Sequence, residues 1–367
     1  MYPKLIWNLA RIKANCQIMV AACKTRNLEL VGVVKLGAGQ EKIVRTLIAA
    51  GITTIADSRI LNLQQFAHLP VKKMLLRLPM LSEIPSIVDI VDCVLVSELV
   101  TIQALNHAAQ QINKKIEIIL MIETGDIREG LWDETLIFQT VASISSLTHL
   151  ILKGLGTNFA CFGATIPTVT KLNQLTTLKQ KLEQQFNITL PIISCGNSSH
   201  ITIWDSPDLN PALNQIRSGT ALLMGLGLND EPIPFLYQDN VWLEAEIIEL
   251  QIKPSASIGE RGLDAFGRVK EFNDIGNRVK AIIALGRQDC AFEELIPFEQ
   301  GITILGQSSD HTILDVTDYC GQLVIGDIIK FKTTYLANLM LGTSCYVKKI
   351  FRRIIVRLVI FLNNITI

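Results

Sequence analysis

The chain has 367 residues, of which 49% are hydrophobic, so it can bury a large core, and its length suits two domains or one barrel with an addition. Lys plus Arg and Asp plus Glu are both 34, which excludes the global basic field that would attract nucleic acid. The eight cysteines include no CxxC pair, and the five histidines include no HxH or HxxxH pair. We therefore expect free thiols in a reducing cytoplasm and no metal site.

An opening strand around residues 5–7 leads into a helix that Asn8 is placed to cap, and apolar runs then alternate with helical patterns. The apolar runs predict strands at 30–34, 53–56, 73–78, 91–96, 116–122, 150–156, 191–195 and 215–217. Repeated alternation of strand and helix predicts right-handed βα units, and eight strands favour a closed (β/α)8 TIM-type barrel over residues 1–230. The opening strand belongs either to this barrel or to the domain that follows.

The pattern changes near residues 231–234. Short runs rich in β-branched residues follow at 242–252, 278–284, 302–305, 312–316 and 328–333, which predicts an all-β domain over residues 231–348. The last segment, 349–367, combines a strongly apolar run with three arginines and is too short to cross a bilayer. We expect this tail to pack or to be poorly ordered rather than to bind a membrane.

Lys35 ends the first predicted barrel strand and is followed by Gly37 and Gly39. In a TIM barrel the chemistry lies at the C-terminal ends of the strands. A lysine amine that is partly withdrawn from water is available in its neutral form and can make a Schiff base with an aldehyde. The alternative is a lysine that only extends into solvent at the rim, and a lone lysine leaves both possibilities open.

Further polar groups follow the later strands. Arg128 comes after the fifth, and its guanidinium can bind a phenolate, a carboxylate or a carbamate; Asn158 follows the sixth. Glycine-containing loops after the seventh and eighth strands offer backbone N–H groups and hydroxyls suited to phosphate, and they contain Asn197, Ser198, Arg217, Gly219 and Thr220. Singly these loops also fit a helix cap and a turn. Together with Lys35 they describe a phosphorylated aldehyde held as an imine, such as pyridoxal 5′-phosphate (PLP).

Four short motifs carry these groups: Val34-Lys35, Thr124-Gly125 with Arg128 and Gly130, Gly196-Asn197-Ser198, and Ile216-Arg217 with Gly219. They resemble the alanine racemase family of fold-type III PLP enzymes, in which a barrel is followed by a β-domain. Four longer motifs are similar to the branch of that family that contains ornithine racemase: Ala56-Asp57-Ser58-Arg59, Gly125-Asp126-Ile127-Arg128-Glu129-Gly130, Gly286-Arg287-Gln288-Asp289 and Ser308-Ser309-Asp310-His311. The resemblance covers residues 3–348.

The resemblance implies that Lys35 carries the cofactor and acts as one acid/base. Arg128 would lie near the cofactor's phenolic oxygen, and Asn158 occupies a position where relatives often have a ring-contacting histidine. Arg217 would face the pyridine nitrogen; because arginine does not give up its proton, the ring stays neutral and proton return to Cα is favoured. The cofactor site would be completed, mainly at the phosphate, by Asn197, Ser198, Gly219 and Thr220.

The sequence departs from the racemase pattern at two places. A phosphate-binding tyrosine of relatives is replaced here by Gly39, and the tyrosine that serves as second acid/base has its apparent counterpart in Phe266, which cannot move a proton. A two-base racemase needs a group opposite Lys35. The candidates are Asp289, Cys290, Asp310 and His311, and His311 has the most suitable ordinary pKa; it could equally be a strand-end histidine that only bonds its own turn.

We therefore expect a PLP-dependent racemase that transfers a proton at Cα of a free amino acid, and the resemblance implies ornithine or another diamino acid as the substrate. The site would be completed by the β-domain of a partner, which predicts a head-to-tail homodimer. Two alternatives remain open at this point. One is a fold-type III decarboxylase of basic amino acids, although the order Asp289-Cys290 is the reverse of what that enzyme would use. The other is a non-catalytic PLP-binding or homeostasis protein.

Overall fold

The computed structural model describes residues 1–353. None of the helices in that part of the chain is both long enough and apolar enough to cross a membrane. The first part of the chain contains β1 (Lys4–Asn8), α1 (Leu9–Thr25), β2 (Glu29–Val33), α2 (Glu41–Ile48), β3 (Thr54–Asp57), α3 (Ile60–Gln64), β4 (Lys72–Leu75), α4 (Ile84–Ile90), β5 (Cys93–Val96), α5 (Leu99–Gln111), β6 (Ile116–Met121), α6 (Glu134–Ile144), β7 (Leu150–Gly156), α7 (Val169–Phe186), β8 (Ile192–Ser194), β9 (Gln215–Ser218) and α8 (Thr220–Met224). It continues with β10 (Val241–Pro254), β11 (Asn277–Ile283), β12 (Leu295–Pro297), β13 (Thr303–Gln307), β14 (Thr312–Asp315), β15 (Ile328–Thr333), α9 (Tyr335–Thr343) and β16 (Lys348–Arg352).

Strands β2 to β9 form a closed barrel in which each strand pairs with the next one along the chain and β9 pairs in parallel with β2. This confirms the predicted (β/α)8 barrel. Every residue of β2 after Glu29 is buried, because helices cover one face of the strand and the barrel interior covers the other. The apolar side chains that pack together inside the barrel are Val31, Val33, Ala56, Met74, Cys93, Leu95, Ile119 and Met121.

The second domain is built on a largely antiparallel sheet, with the strand order β12-β15-β10-β11-β14-β13. The opening strand β1 joins this sheet, where it pairs antiparallel with β10 and parallel with β16. Strand β16 includes residues 349–352, which the sequence analysis assigned to the tail. Residues 354–367 of that tail lie outside the described residues, and the domain limits at 230 and 348 stay predictions.

Helix α9 is an element of the second domain that an all-β pattern did not anticipate. Thr334 begins it, and its hydroxyl accepts a hydrogen bond from the Ala337 amide at 3.2 Å. The helix packs on the turn that carries Lys35: a β-carbon at Gly342 would lie 2.9 Å from the Leu36 carbonyl oxygen. The absence of a side chain at Gly342 thus lets α9 bring the second domain against the barrel end where Lys35 lies.

Candidate active site

Lys35 lies directly after β2, at the barrel end where the parallel strands finish. The chain turns there in a short 3₁₀ segment, Lys35–Gly37, which is closed when the Ala38 amide donates to the Lys35 carbonyl at 3.0 Å. The lysine is half-buried, and its Nζ lies 5.5 Å from the centre of the Tyr335 ring of α9. This is the geometry of a cation–π contact, and it places the amine between the barrel and the second domain.

Asp57 is a buried carboxylate at the end of β3, the strand next to Lys35. Its Oδ1 accepts hydrogen bonds from the Arg59 amide at 2.9 Å and from Asn62 Nδ2 at 3.0 Å. Its Oδ2 is buried and has no hydrogen-bond partner among residues 1–353. Burial raises the pKa of Asp57 to about 6, although these hydrogen bonds and the charge of Lys35 act in the opposite direction. The neighbour of Lys35 is thus a carboxyl group that ionises at a higher pH than an exposed aspartate does.

Arg128 lies on the loop between β6 and α6. The base of this loop is closed by the Glu123 amide, which donates to the Leu131 carbonyl at 3.0 Å. Within the loop, the Glu123 carboxylate accepts hydrogen bonds from the amides of Gly125 and Arg128. Arg128 therefore lies on a loop whose conformation is stabilised by hydrogen bonds within the loop.

Glu129 joins two of the predicted cofactor residues. Its Oε1 lies 2.7 Å from Arg128 Nη2 and accepts a hydrogen bond from Asn158 Nδ2, after β7, at 2.9 Å. Burial raises the pKa of Glu129, against the lowering effect of Arg128 and Arg217. The motif around Arg128 contained Glu129, but the sequence offered no reason to give this residue a role.

Arg217 is a buried arginine in β9, with only 4% of its surface exposed. Its Nη1 donates to the Ser194 hydroxyl and its Nη2 to the Thr157 carbonyl at 2.6 Å. Burial lowers the pKa of Arg217 to about 10, so the guanidinium is still charged at neutral pH. Because its acceptors are neutral, the charge of Arg217 is not cancelled by an ion pair with them, and the guanidinium can make a charge-assisted hydrogen bond to a ligand.

The loops after β8 and β9 lie close together. The hydroxyl groups of Ser198 and Ser218 are hydrogen-bonded at 2.9 Å. The Ser199 hydroxyl is buried and finds no hydrogen-bond partner in the part of the chain that the structure describes. Gly219 approaches β2 so closely that a β-carbon there would lie 3.0 Å from the Val33 carbonyl oxygen. Thr220 follows as the first residue of α8. The two predicted phosphate loops thus form one small polar region beside Lys35.

The Asn197 side chain makes hydrogen bonds that stabilise its own loop. Its Oδ1 accepts from the Ser199 amide at 2.9 Å, and its Nδ2 donates to the Phe159 carbonyl at 2.7 Å. These bonds tie the loop after β8 to the loop after β7. Asn197 thereby fixes the position of Ser198.

The predicted cofactor residues follow five consecutive strands of the closed ring. In ring order, the ends of β6, β7, β8, β9 and β2 carry Arg128, Asn158, Ser198, Gly219 and Lys35. The C-terminal ends of parallel strands meet at one end of a barrel, so these residues share one rim. The sequence could place each of them on a strand end, and the closure of the ring makes them neighbours.

The four candidates for a second acid/base lie in two joined turns of the second domain. The Arg287 amide donates to the Ser308 carbonyl at 3.0 Å, which holds the turn containing Asp289 and Cys290 against the turn containing Asp310 and His311. In the described residues, no hydrogen bond or ion pair connects any of these four to Lys35 of the same chain.

These candidates differ in their surroundings. Asp289 is buried, and its carboxylate accepts a hydrogen bond from the Ser344 hydroxyl at 2.6 Å. Cys290 is also buried, which raises the pKa of its thiol to about 12. The His311 side chain is 43% exposed, and its Nδ1 lies 2.9 Å from Asp310 Oδ1. His311 is thus an accessible imidazole with an acidic neighbour, whereas Asp289 and Cys290 are enclosed.

The structure explains one of the two departures from the racemase pattern and shows where the other lies. Gly39 has a φ of +69°, and a β-carbon there would lie 2.7 Å from the Cβ of Asn62, so a tyrosine does not fit at this position. Tyr335 contacts Lys35 from α9 instead. Phe266 lies on an exposed turn, with its ring 5.4 Å from the Arg287 guanidinium, and so adjoins the turn that carries Asp289.

Residues 7–226 match the family described as alanine racemase, N-terminal domain. Two curated proteins are similar along almost the whole chain. A lysine racemase of Thermotoga maritima is 37% identical over 353 residues, which cover 95% of this chain and 98% of that protein. An ornithine racemase of Acetoanaerobium sticklandii is 38% identical over 350 residues, which cover 95% of this chain and 99% of that protein.

Solved structures show the same fold. An alanine racemase from Bacillus anthracis superimposes with a TM-score of 0.75 at 15% identity, covering 96% of each chain. One from Bartonella henselae, with covalently bound pyridoxal phosphate, gives a TM-score of 0.73 at 19% identity, covering 96% of this chain and 100% of that one.

The chain therefore belongs to the alanine racemase family, in its ornithine racemase-like branch. It is an amino-acid racemase with PLP as its cofactor, which confirms the activity and the cofactor predicted from the motifs. Between the alternatives that the sequence left open, these relatives favour the racemase over a decarboxylase or a non-catalytic carrier.

The rim described above fits PLP. An aldehyde needs an accessible amine, which Lys35 supplies; a phosphate needs hydroxyl and backbone donors, and the buried Ser199 hydroxyl without a partner lies among them. Arg217 is a buried cation whose hydrogen-bond acceptors within the described residues, Ser194 and the Thr157 carbonyl, are neutral, and a ring nitrogen with a lone pair is a suitable further acceptor.

Proposed function

We propose that this protein racemises a basic amino acid, lysine or ornithine, by proton transfer at Cα. The observation that carries this proposal is the identity of 37% and 38% to a lysine racemase and an ornithine racemase over 95% of the chain. Alanine racemases share only the fold at 15–19% identity. A substrate with a distal ammonium group therefore has better support than alanine.

In this proposal Lys35 holds the cofactor and moves the proton on its own face of Cα. Bound PLP acts as an electron sink that makes the Cα proton of the substrate acidic. Arg217 donates to the ring nitrogen without giving up its proton, since its pKa of about 10 keeps it charged at the pH of the cytoplasm. Ser198, Gly219 and Thr220 bind the phosphate, and Asn197 holds their loop in place.

Arg128 and Asn158 contact the cofactor ring from the loops after β6 and β7. In this proposal Arg128 would hold the phenolic oxygen of the cofactor, because a guanidinium can donate to a negatively charged acceptor. Asn158 occupies the neighbouring position and shares an acceptor with Arg128.

The second acid/base belongs to another copy of the chain. His311 is the strongest candidate because it is accessible and because Asp310 beside it can orient the imidazole. Asp289 and Cys290 then support the turn instead of moving a proton. This arrangement requires a head-to-tail homodimer in which each second domain completes the barrel of its partner. We place the dimer in the cytoplasm, because the buried thiols of the chain suit a reducing compartment.

The same proposal divides the chain into a barrel over residues 1–230, with β1 contributed to the second sheet, and a β-domain over residues 231–348. The contact between α9 and the Lys35 turn supports treating the two as one catalytic unit.

The test is α-proton exchange in D2O, followed by NMR, with the PLP-loaded protein and L-lysine, L-ornithine or L-alanine. We expect loss of the α-proton signal with an intact carbon skeleton for lysine or ornithine, and chiral chromatography should show the D-enantiomer. K35A should lose both exchange and the visible absorbance of bound PLP, whereas K13A, at an exposed lysine of α1, should keep both. Release of the diamine would instead indicate decarboxylation, and exchange with alanine alone would refute the proposed substrate class.

A further inference from the structure

Glu129 is the common partner of Arg128 and Asn158. One oxygen, Oε1, lies 2.7 Å from Arg128 Nη2 and accepts from Asn158 Nδ2 at 2.9 Å. The Glu129 side chain is only 12% exposed, while that of Arg128 is 39% exposed. A nearly buried carboxylate thus fixes a more exposed guanidinium and an amide that come from two different barrel loops.

The shape of the Arg128 loop does not depend on the Glu129 side chain. The Glu123 carboxylate bonds the amides of Gly125 and Arg128, and backbone bonds to Leu131 close the base. Gly130 makes the tight return, with a φ of +126° and a β-carbon position 2.6 Å from the Glu123 amide nitrogen. Because these contacts already define the loop, the Glu129 side chain is available to bind Arg128 and Asn158.

The neighbouring loop is fixed independently as well. The carboxylate of Asp126 is buried and accepts from the amides of Cys161, Phe162 and Thr165 at 3.1–3.2 Å. The backbone positions of both loops are thus set by Glu123 and Asp126. The Glu129 carboxylate instead connects two side chains, those of Arg128 and Asn158.

Burial raises the pKa of Glu129, and Asp126 and Glu123 add to this rise, whereas Arg128 and Arg217 oppose it. The reason for an acidic residue at this position is therefore the direct ion pair with Arg128 at 2.7 Å. An uncharged residue would leave Arg128 without its ion pair, and the guanidinium could then take other orientations at the rim.

We propose that Glu129 is a positioning residue of the racemase, whose carboxylate holds Arg128 and Asn158 in the orientation in which they contact the cofactor. This inference rests on the proposed function, because it presupposes that both residues face PLP. It assigns no proton transfer to Glu129.

The test is a double-mutant cycle of E129Q and R128K, read out by PLP affinity, by the absorbance maximum of bound PLP and by racemisation. Glutamine keeps the size of the side chain and an acceptor for Asn158 but removes the charge. For a charge-assisted hydrogen bond at a partly exposed site, we expect E129Q to weaken PLP binding and to lower kcat by about tenfold each, with a shifted absorbance maximum. In the R128K background the same change should cost about twofold or less, because the partner is already altered.

E134Q is the matched control, since it removes the same charge from an exposed glutamate that pairs with Lys181 at 2.7 Å outside the site. It should match the wild type in all three measurements. Wild-type behaviour of E129Q, or an equal loss from E129Q with and without R128K, would overturn the inference while leaving the proposed function intact. Failure of the wild type itself to bind PLP would overturn the proposed function, and this inference with it. Thermal unfolding of each variant separates these results from misfolding, and E129L provides a second variant that removes the acceptor altogether.

Discussion

Asp57 makes a pH-dependent contribution to stability that D57N should remove. Its pKa rises from 3.8 to about 6 on folding, because the carboxyl group is buried and Oδ2 has no partner. The folded protein therefore holds a proton that the unfolded chain has already released, so the free energy of unfolding falls as pH increases between these two values. A shift of about two pKa units corresponds to about 3 kcal/mol, and this is the destabilisation expected from Asp57 above pH 6.

The measurement is urea unfolding of the PLP-free protein at pH 4.5, 5.5, 6.5 and 7.5 for the wild type and D57N. Asparagine keeps the Oδ1 acceptor for Arg59 and Asn62 and removes the charge. The free energy of unfolding of D57N relative to wild type should rise by about 2 kcal/mol from pH 4.5 to 7.5, and should level off above about pH 6.5. D208N, which removes a charge from an exposed position, measures the effect of net charge alone. A pH-independent difference between D57N and wild type, or one that falls with pH, would refute the reasoning.

Two further predictions concern the arginine at the rim and the second acid/base. R217M should abolish PLP binding. It should change the free energy of unfolding of the PLP-free protein by only about 1 kcal/mol, because removing a buried charge offsets the lost hydrogen bonds to Ser194 and Thr157. A loss above about 3 kcal/mol in urea unfolding would contradict this expectation. The H311Q variant should still exchange the α-proton of one enantiomer through Lys35 but should not convert it to the other enantiomer. The C290A variant should racemise at a rate within about threefold of wild type, because a thiol with a pKa of about 12 is a poor proton carrier. Chiral chromatography combined with exchange in D2O separates the two outcomes, and full racemisation by H311Q would exclude His311.

The barrel was predictable because most residues of its strands are buried. Such strands appear in the sequence as mainly apolar runs, as in β2 and β6, and their regular alternation with helical segments leaves few other folds. The antiparallel sheet of the second domain was found from β-branched runs between turns. Helix α9 was not, because its nine residues are mostly apolar and its hydrophobic residues do not mark a single face.

Site residues could be predicted from the sequence where they lie in the loop that follows a barrel strand. Lys35, Arg128, Ser198 and Gly219 are of this kind, and the ring closure brings the ends of their strands to one rim. Tyr335 could not be found in this way, because its contact with Lys35 depends on how α9 packs on the barrel. A threonine cap before an apolar run was the one local signal for that helix, and it says nothing about what the helix touches.

Helix α9 links the barrel rim at Lys35 with the turns of the second domain. Its first residue, Tyr335, lies against the Lys35 amine, and Gly342 lies against the carbonyl of Leu36 in the same turn. Ser344, directly after the helix, bonds the buried carboxylate of Asp289 in the turn that adjoins His311. One helix thus connects the turn that carries the lysine of one site with the turns that we propose complete the site of the partner. In this arrangement a change in the packing of α9, for instance from a larger residue at Gly342, would disturb both halves of the proton transfer, although neither of the proposed acid/base residues had been replaced.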